Sequence, residues 1–171
     1  RIAILEFLKK RFELSSPLPS DFHGIPVANK QNAWFFAYSD KRKPNDISSL
    51  WDLAAACVAM APDKLPPATF DRCLAIHQVG VSKLTMGLFW FNPKEYLALD
   101  SFMVNYLVEK SIAVKLQKIA VLADYLGVVA DVKSKLGDNF PQLSRDAYVF
   151  SNQISISADD LDKVLATFLH Q

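Results

Sequence analysis

The stretch LTMGLFWFNPKEYLALDS, residues 84–101, decides the fold of this chain. The residues from Ser82 to Phe91, which include its first part, are mostly apolar and predict a well-buried helix. Asn92-Pro93 ends that helix, because proline biases the residue before it away from helical backbone angles. Asp100 then predicts the N-cap of a further helix that reaches Lys110, since its carboxylate can accept an exposed backbone amide. We therefore expect two helices joined by a short buried connection.

Four aromatic side chains lie in this stretch, namely Phe89, Trp90, Phe91 and Tyr96. Such a group can stack on nucleic-acid bases. The residues around it are apolar as well, which favours packing in the core. We therefore predict structural roles for two residues here: Trp90 as a buried core side chain and Asp100 as a helix cap.

On the N-terminal side, the one-sided apolar pattern from Ile2 to Phe12 predicts an amphipathic helix. A loop rich in serine and proline follows, and then an aromatic run at residues 33–38 that fits either a strand or a buried helical turn. Asp46 predicts the N-cap of a helix from Ile47 to about Met60. Another helix is expected from Pro67 to His77, with Cys73 on the same face as His77.

On the C-terminal side, a helix is expected from Ile112 to Leu126, with Gly127 as its cap or kink. A shorter helix over Val132–Leu136, a small strand over Val149–Ser157 and a last helix over Ala158–Leu169 complete the prediction. The fold class is therefore mainly α, a single compact multi-helix domain over residues 1–171 with room for a few short strands. Because the chain opens without Met or an N-cap, we expect it to be a piece of a longer polypeptide.

Composition excludes several classes of protein. Lys and Arg number 19 against 18 Asp and Glu, so the net charge is +1. Dedicated nucleic-acid binders are usually far more basic, so any contact with DNA has to come from a local patch. Two cysteines and no signal peptide predict a cytoplasmic protein rather than a disulfide scaffold. No apolar run approaches the roughly 20 residues needed to cross a bilayer, so no membrane is expected as a partner.

Motifs for catalysis and nucleotide binding are absent from the sequence. No GxxxxGK[ST] phosphate loop, GxSxG, HExxH or paired CxxC occurs. Cys73 and His77, four residues apart, have a spacing that can hold a metal or pair a nucleophile with a base, but zinc needs more ligands than this pair offers. A buried thiol beside an imidazole is the simpler interpretation. We expect no catalytic residue, no metal and no cofactor in this chain, and no hydrolysis of ATP or GTP.

The densest run of positive charge is Lys41-Arg42-Lys43, which follows Trp34 and Tyr38 closely in sequence. Basic side chains of this kind bind backbone phosphates, and aromatic neighbours can stack on bases. The five residues are our candidate nucleic-acid contacts. The alternative is a solvated loop tip with no ligand.

Residues 84–101 also resemble a block found in some McrB-like AAA+ proteins, of the form "LT..LFW.NP..FL.LDS", which is followed by an aromatic and a leucine, here Tyr106-Leu107. Upstream, Asn32-Ala33-Trp34-Phe35 and Ser48-Ser49-Leu50-Trp51 resemble the family elements "N.W.F" and "I..LW". Downstream, residues 140–148 resemble "F.ELS..A". Together these elements cover about two thirds of the chain.

The resemblance implies an accessory or DNA-recognition domain that precedes the motor in a modification-dependent restriction system. The motor in such proteins binds ATP or GTP with Mg, and a partner subunit carries the nuclease. The partners implied are double-stranded DNA, a nuclease subunit and a motor domain in cis. The alternative function is a helical protein–protein interaction module that docks a partner subunit and has no nucleic-acid role. The near-neutral charge favours this alternative, and the loop at Lys41 favours DNA recognition.

Overall fold

The structure is a computed structural model that describes residues 2–26 and 37–156. It confirms a mainly α fold, because these ranges contain seven α-helices and three short 3-10 turns and no strand. The helices are α1 (Ile2–Arg11), α2 (Asp46–Ala59), α3 (Pro67–Leu74), α4 (Gly80–Phe91), α5 (Ser101–Glu109), α6 (Leu122–Leu136) and α7 (Phe140–Ile156). The 3-10 turns are Ser39–Lys41, Pro62–Lys64 and Leu116–Lys118.

Helix α4 is the centre of the hydrophobic core. Six consecutive residues, Leu84 to Phe89, are buried, which means that this helix is covered on every side along that part of its length. Helices α2 and α3 pack against it and against each other, α6 packs on α3, and α5 pairs with α7. A helix that is apolar all round is expected to be buried in this way.

The connection Tyr96–Leu99, which follows α4, is extended and fully buried. Its backbone is satisfied by side chains instead of by a neighbouring strand. The hydroxyl of Tyr125 accepts from the Leu97 amide (2.8 Å) and donates to the Leu97 carbonyl (3.1 Å), and Thr85 Oγ1 accepts from the Leu99 amide (3.0 Å). Buried backbone groups need such partners, so residues 84–101 act as the organising joint that the sequence predicted.

Two further bonds tie α2 to this joint. The Tyr96 hydroxyl donates to the Met60 carbonyl at 2.8 Å, just beyond the end of α2. The Asn92 side-chain amide donates to the Cys57 carbonyl at 3.0 Å. Burial raises the pKa of Tyr96, which keeps this hydroxyl protonated as a donor. The C-terminal part of α2 is therefore held against the end of α4.

The predicted cap at Asp100 is confirmed. Asp100 is the N-cap of α5, and its Oδ1 accepts from the Met103 amide at 2.9 Å. The prediction for Asp46 was wrong in detail. Asn45 is the N-cap of α2, and Asp46 is its first residue, where its carboxylate accepts instead from the Lys43 amide at 2.9 Å. The Asp46 carboxylate therefore stabilises the loop before α2 rather than the first turn of the helix.

Two predicted elements were wrong. Gly127 neither caps nor kinks a helix but lies inside α6, whose start is set by Asp124, a side chain that accepts the amides of Ala120 and Val121. The strand expected at Val149–Ser157 is, up to residue 156, part of α7. The helix expected at Ala158–Leu169 and the aromatic residues 33–36 lie outside the described residues.

The segment at residues 21–26 is fixed on the surface of α7. Arg145 pairs with Asp21 at 3.2 Å, and the Ser144 hydroxyl donates to the Gly24 carbonyl. Gly24 has a positive φ of 79°, and a Cβ there would lie only 2.3 Å from the Arg145 Cα. Only glycine allows this approach of two backbones. Among the described helices, none is long and apolar enough to span a bilayer.

Candidate functional site

The basic loop lies at the N-terminal end of α2. Lys41 and Lys43 are exposed and Arg42 is partly buried, while Tyr38 is exposed at the start of the loop. Trp34, the remaining residue of the predicted set, lies outside the described residues. The loop therefore presents two lysines and one tyrosine to solvent, and the bond from the Lys43 amide to Asp46 fixes its exit.

The predicted pairing of Cys73 with His77 on one helix was wrong. Helix α3 ends at Leu74, and His77 is exposed beyond it, whereas Cys73 is fully buried. The Cys73 thiol donates to the Ser49 carbonyl at 3.1 Å, and burial raises its pKa to about 11. This hydrogen bond joins α3 to α2, and the raised pKa keeps the thiol protonated and therefore unreactive. Across residues 2–26 and 37–156, no group of three His, Cys, Asp or Glu side chains is placed to hold a metal ion.

The most distinctive surface feature is an open groove between α2 and α4, with a volume of about 310 Å³. We call it the α2–α4 groove. Among the described residues that line it, every side chain is apolar, and one residue is a glycine. The lining residues are Ile47, Leu50, Trp51, Leu53, Ala54, Leu84, Gly87, Leu88, Trp90 and Phe91.

Three large aromatic side chains project from this groove into solvent. Trp51 is 66% exposed, Phe91 is 50% exposed and Trp90 is 47% exposed. The expectation that Trp90 is buried was therefore wrong. Its indole Nε1 donates to the Pro26 carbonyl at 2.9 Å, which fixes the ring at one end of the groove and gives it a structural role at the surface.

The sequence of α2 explains why the groove stays open. Its second half, residues 53–59, is LAAACVA, seven residues without a polar side chain. Leu53 and Cys57 face the core, whereas Ala55 and Val58 face solvent. A soluble helix normally carries polar residues on its outer face. The outer face of α2 therefore extends the apolar surface beyond the groove itself.

Sequence reasoning missed this site, although a signal was present. Leu50 and Trp51 were noticed only as part of a family resemblance, and the apolar run after Trp51 only as a good helix former. Helix α4 is apolar along almost its whole length, so its pattern did not show which face was outward. The combination of two helices with long apolar runs, α2 and α4, and only one core to share was the available clue.

A second cleft lies on the other side of Trp90. It is more polar, has a volume of about 510 Å³, and includes His23, Asn139 and Arg145. Arg145 is already paired with Asp21, and Asn139 Oδ1 accepts from the Gln142 amide at 3.2 Å. Arg145 therefore serves the attachment of residues 21–26 to α7, whereas Asn139 holds the first turn of α7.

A family model described as "Domain of unknown function (DUF8425)" matches residues 1–150. No curated protein and no solved structure matches the chain.

Proposed function

The chain belongs to this family of unknown function, and we propose that it is a docking module that takes an amphipathic helix of a protein partner into the α2–α4 groove. The observation that carries the proposal is the groove itself, whose described lining residues all have apolar side chains or none and which is flanked by exposed Trp51, Trp90 and Phe91. Tryptophan and other large aromatics are the side chains that most often dominate the energy of protein interfaces.

The character of the lining favours a helix over a small molecule. Pockets for small molecules usually contain a few polar groups that fix the orientation of the ligand. Among the residues that the structure describes, no polar side chain lines the α2–α4 groove, and the groove is open to solvent. An amphipathic helix needs only apolar contacts at positions i, i+3, i+4 and i+7, and two parallel walls of helix supply them.

The proposal is tested with a designed amphipathic peptide of about 15 residues that carries leucine at the spacing of one helical face. Calorimetric titration of the chain should show binding, and Trp51→Ala should weaken it by about 30-fold, the size expected for an interface anchor. Val58→Ala is the matched control, because Val58 is also exposed on α2 but does not line the groove. Equal affinity for the wild type and Trp51→Ala would contradict the proposal.

A second candidate function is contact with the phosphate backbone of DNA. The exposure of Lys41 and Lys43 beside Tyr38 favours it. If the loop binds DNA, replacing Lys41, Arg42 and Lys43 with alanine should lower the slope of log affinity against log salt by about 2–3 units. The matched control replaces Lys9, Lys10 and Arg11, which carry the same charge on α1. Equal slopes for the wild type and the loop variant would exclude the loop.

Both candidates fit the accessory region of a McrB-like restriction ATPase, a setting that we propose from the resemblance in residues 84–101. In that setting a motor domain in cis would bind ATP or GTP with Mg, and a nuclease subunit would be a further partner. A phosphate-binding loop encoded after Gln171 would support this setting. An unrelated domain encoded after Gln171 would contradict it.

A further inference from the structure

Helix α1 is the second apolar surface of the molecule, and none of its residues is buried by the part of the chain that the structure describes. Ile4, Phe7 and Leu8 lie on one face of this helix, Phe12 follows directly after its last residue, and Phe7 is 66% exposed. No residue of α1 is buried, and α1 contributes nothing to the lining of the α2–α4 groove. Glu6, Lys9 and Lys10 occupy the opposite face. An amphipathic helix gains little from folding unless its apolar face is covered.

The connection after α1 holds it away from the helical body. Glu13 has a positive φ of 52° and ends the helix, and the Lys9 ammonium donates to the Ser16 carbonyl at 2.7 Å. Pro17 and Pro19 then restrict the chain to extended angles, which makes a short linker stiff. The far end of the linker is fixed at Asp21 by its ion pair with α7. Helix α1 is therefore presented as a projecting arm.

From these features we infer that the chain forms a reciprocal dimer, in which α1 of each copy lies in the α2–α4 groove of the other. The inference rests on the proposed function of the groove and names its occupant. An apolar helical ridge and an apolar groove between two helices are complementary in shape and chemistry. Because the linker is stiff, it favours binding of α1 in the groove of a second copy over binding in the groove of its own chain, as in dimers that exchange an arm.

The area available is sufficient for a stable dimer. The exposed apolar side chains of α1 offer about 400 Å² of surface, and the aromatic rim of the groove offers a similar area. Because the contact occurs twice in a symmetric pair, the dimer would bury about 1,600 Å² in total, the standard size of a specific interface. Glu6, Lys9 and Lys10 would stay outside the groove, since they lie on the opposite face of α1, whereas Arg11 lies on the apolar face at the last residue of the helix.

The test is analytical ultracentrifugation of the full chain and of two variants, Phe7→Glu on α1 and Trp51→Glu in the groove. Both side chains are 66% exposed in a single copy, so neither change disturbs the fold of the monomer. We expect the wild type to be a dimer, and each variant to raise its dissociation constant by about 30-fold or more. Val58→Glu is the control and should remain dimeric, because Val58 is exposed outside the groove lining.

Mixing the two variants tests the exchange of the arm directly. The Phe7→Glu copy still offers an intact groove, and the Trp51→Glu copy still offers an intact α1. In a mixed pair, α1 of the Trp51→Glu copy can lie in the groove of the Phe7→Glu copy, so one of the two contacts is intact. The mixture should therefore form heterodimers, although neither variant dimerises alone. A dimer that survives both substitutions would overturn the inference, and so would a wild type that stays monomeric at millimolar concentration.

The failure of this inference can be separated from the failure of the proposed function. The designed peptide is titrated into the Phe7→Glu variant, whose groove has no competing α1. If the wild type is monomeric but the peptide still binds in the groove, only the self-docking inference is overturned. If the peptide does not bind either, the docking function falls as well.

Discussion

At the scale of single residues, Asp100 shows how one side chain fixes the boundary of an element. Its carboxylate holds the first turn of α5, and it does so from a largely buried position. We expect Asp100→Ala to lower the free energy of unfolding by about 0.5–2 kcal/mol through loss of the N-cap. Asp100→Asn is the matched control, because asparagine keeps the acceptor oxygen and should retain most of the stability.

The same pair of variants predicts a dependence on pH. Burial raises the pKa of Asp100 above its ordinary value of 3.8, so the folded protein binds this proton more tightly than the unfolded chain does. This tighter proton binding contributes to the free energy of unfolding. The contribution is fully present below the ordinary pKa and is lost as the pH rises through the raised pKa of the folded state. Urea unfolding from about pH 4 to pH 7 should therefore show the wild type losing stability relative to Asp100→Asn. A constant difference between the two would contradict this.

Cys57 and Cys73 supply a second prediction at this scale. Both are fully buried, and burial raises the pKa of each to about 11. At pH 8 the native protein should therefore react with a thiol reagent far more slowly than a free thiol does. In protein unfolded in urea, both thiols should be accessible and should react at the rate of free thiols. Fast labelling of either cysteine in the native state would show that the packing of α2 against α3 or α4 is wrong.

At the scale of elements, polar signals near helix ends decided which predictions succeeded. The starts of α2 and α5 were located to within a residue or so, because Asp46 and Asp100 stand beside them. The start of α6 was missed, because its N-cap is the apolar Val121, and the polar side chain at this end belongs to Asp124, the third residue of the helix, which reaches back to two amides. Helix α7 was mistaken in part for a strand, since only its packing on α5 shows that a helix is required there.

Gly127 gives the prediction that belongs to this scale. It lies on the exposed side of α6, and a Cβ added there meets no atom within 4 Å. Gly127→Ala should therefore raise the free energy of unfolding by about 0.5–1 kcal/mol, because alanine has the higher helix propensity. Gly24→Ala is the contrasting variant and should destabilise, since its Cβ would collide with the backbone of Arg145. Thermal melts of the two variants should move in opposite directions.

At the scale of the whole molecule, the fold class and the joint at residues 84–101 could be predicted, and the docking groove could not. Periodicity and proline positions reveal where helices lie, but which apolar face remains outside depends on how many helices share one core. Trp90 illustrates the limit. It lies in an apolar run that favours burial, yet it stands at the rim of the groove with its indole bonded to Pro26.

The groove's occupation is the central claim, and NMR of the indole groups tests it most directly. The designed amphipathic peptide is titrated into chain labelled with ¹⁵N, and Trp51→Phe and Trp90→Phe assign the two signals. We predict that the indole resonances of Trp51 and Trp90 shift together with the backbone amides of α2 and α4, while those of the Lys41–Lys43 loop stay in place. Unchanged indole resonances at saturating peptide, or shifts confined to that loop, would contradict the docking function.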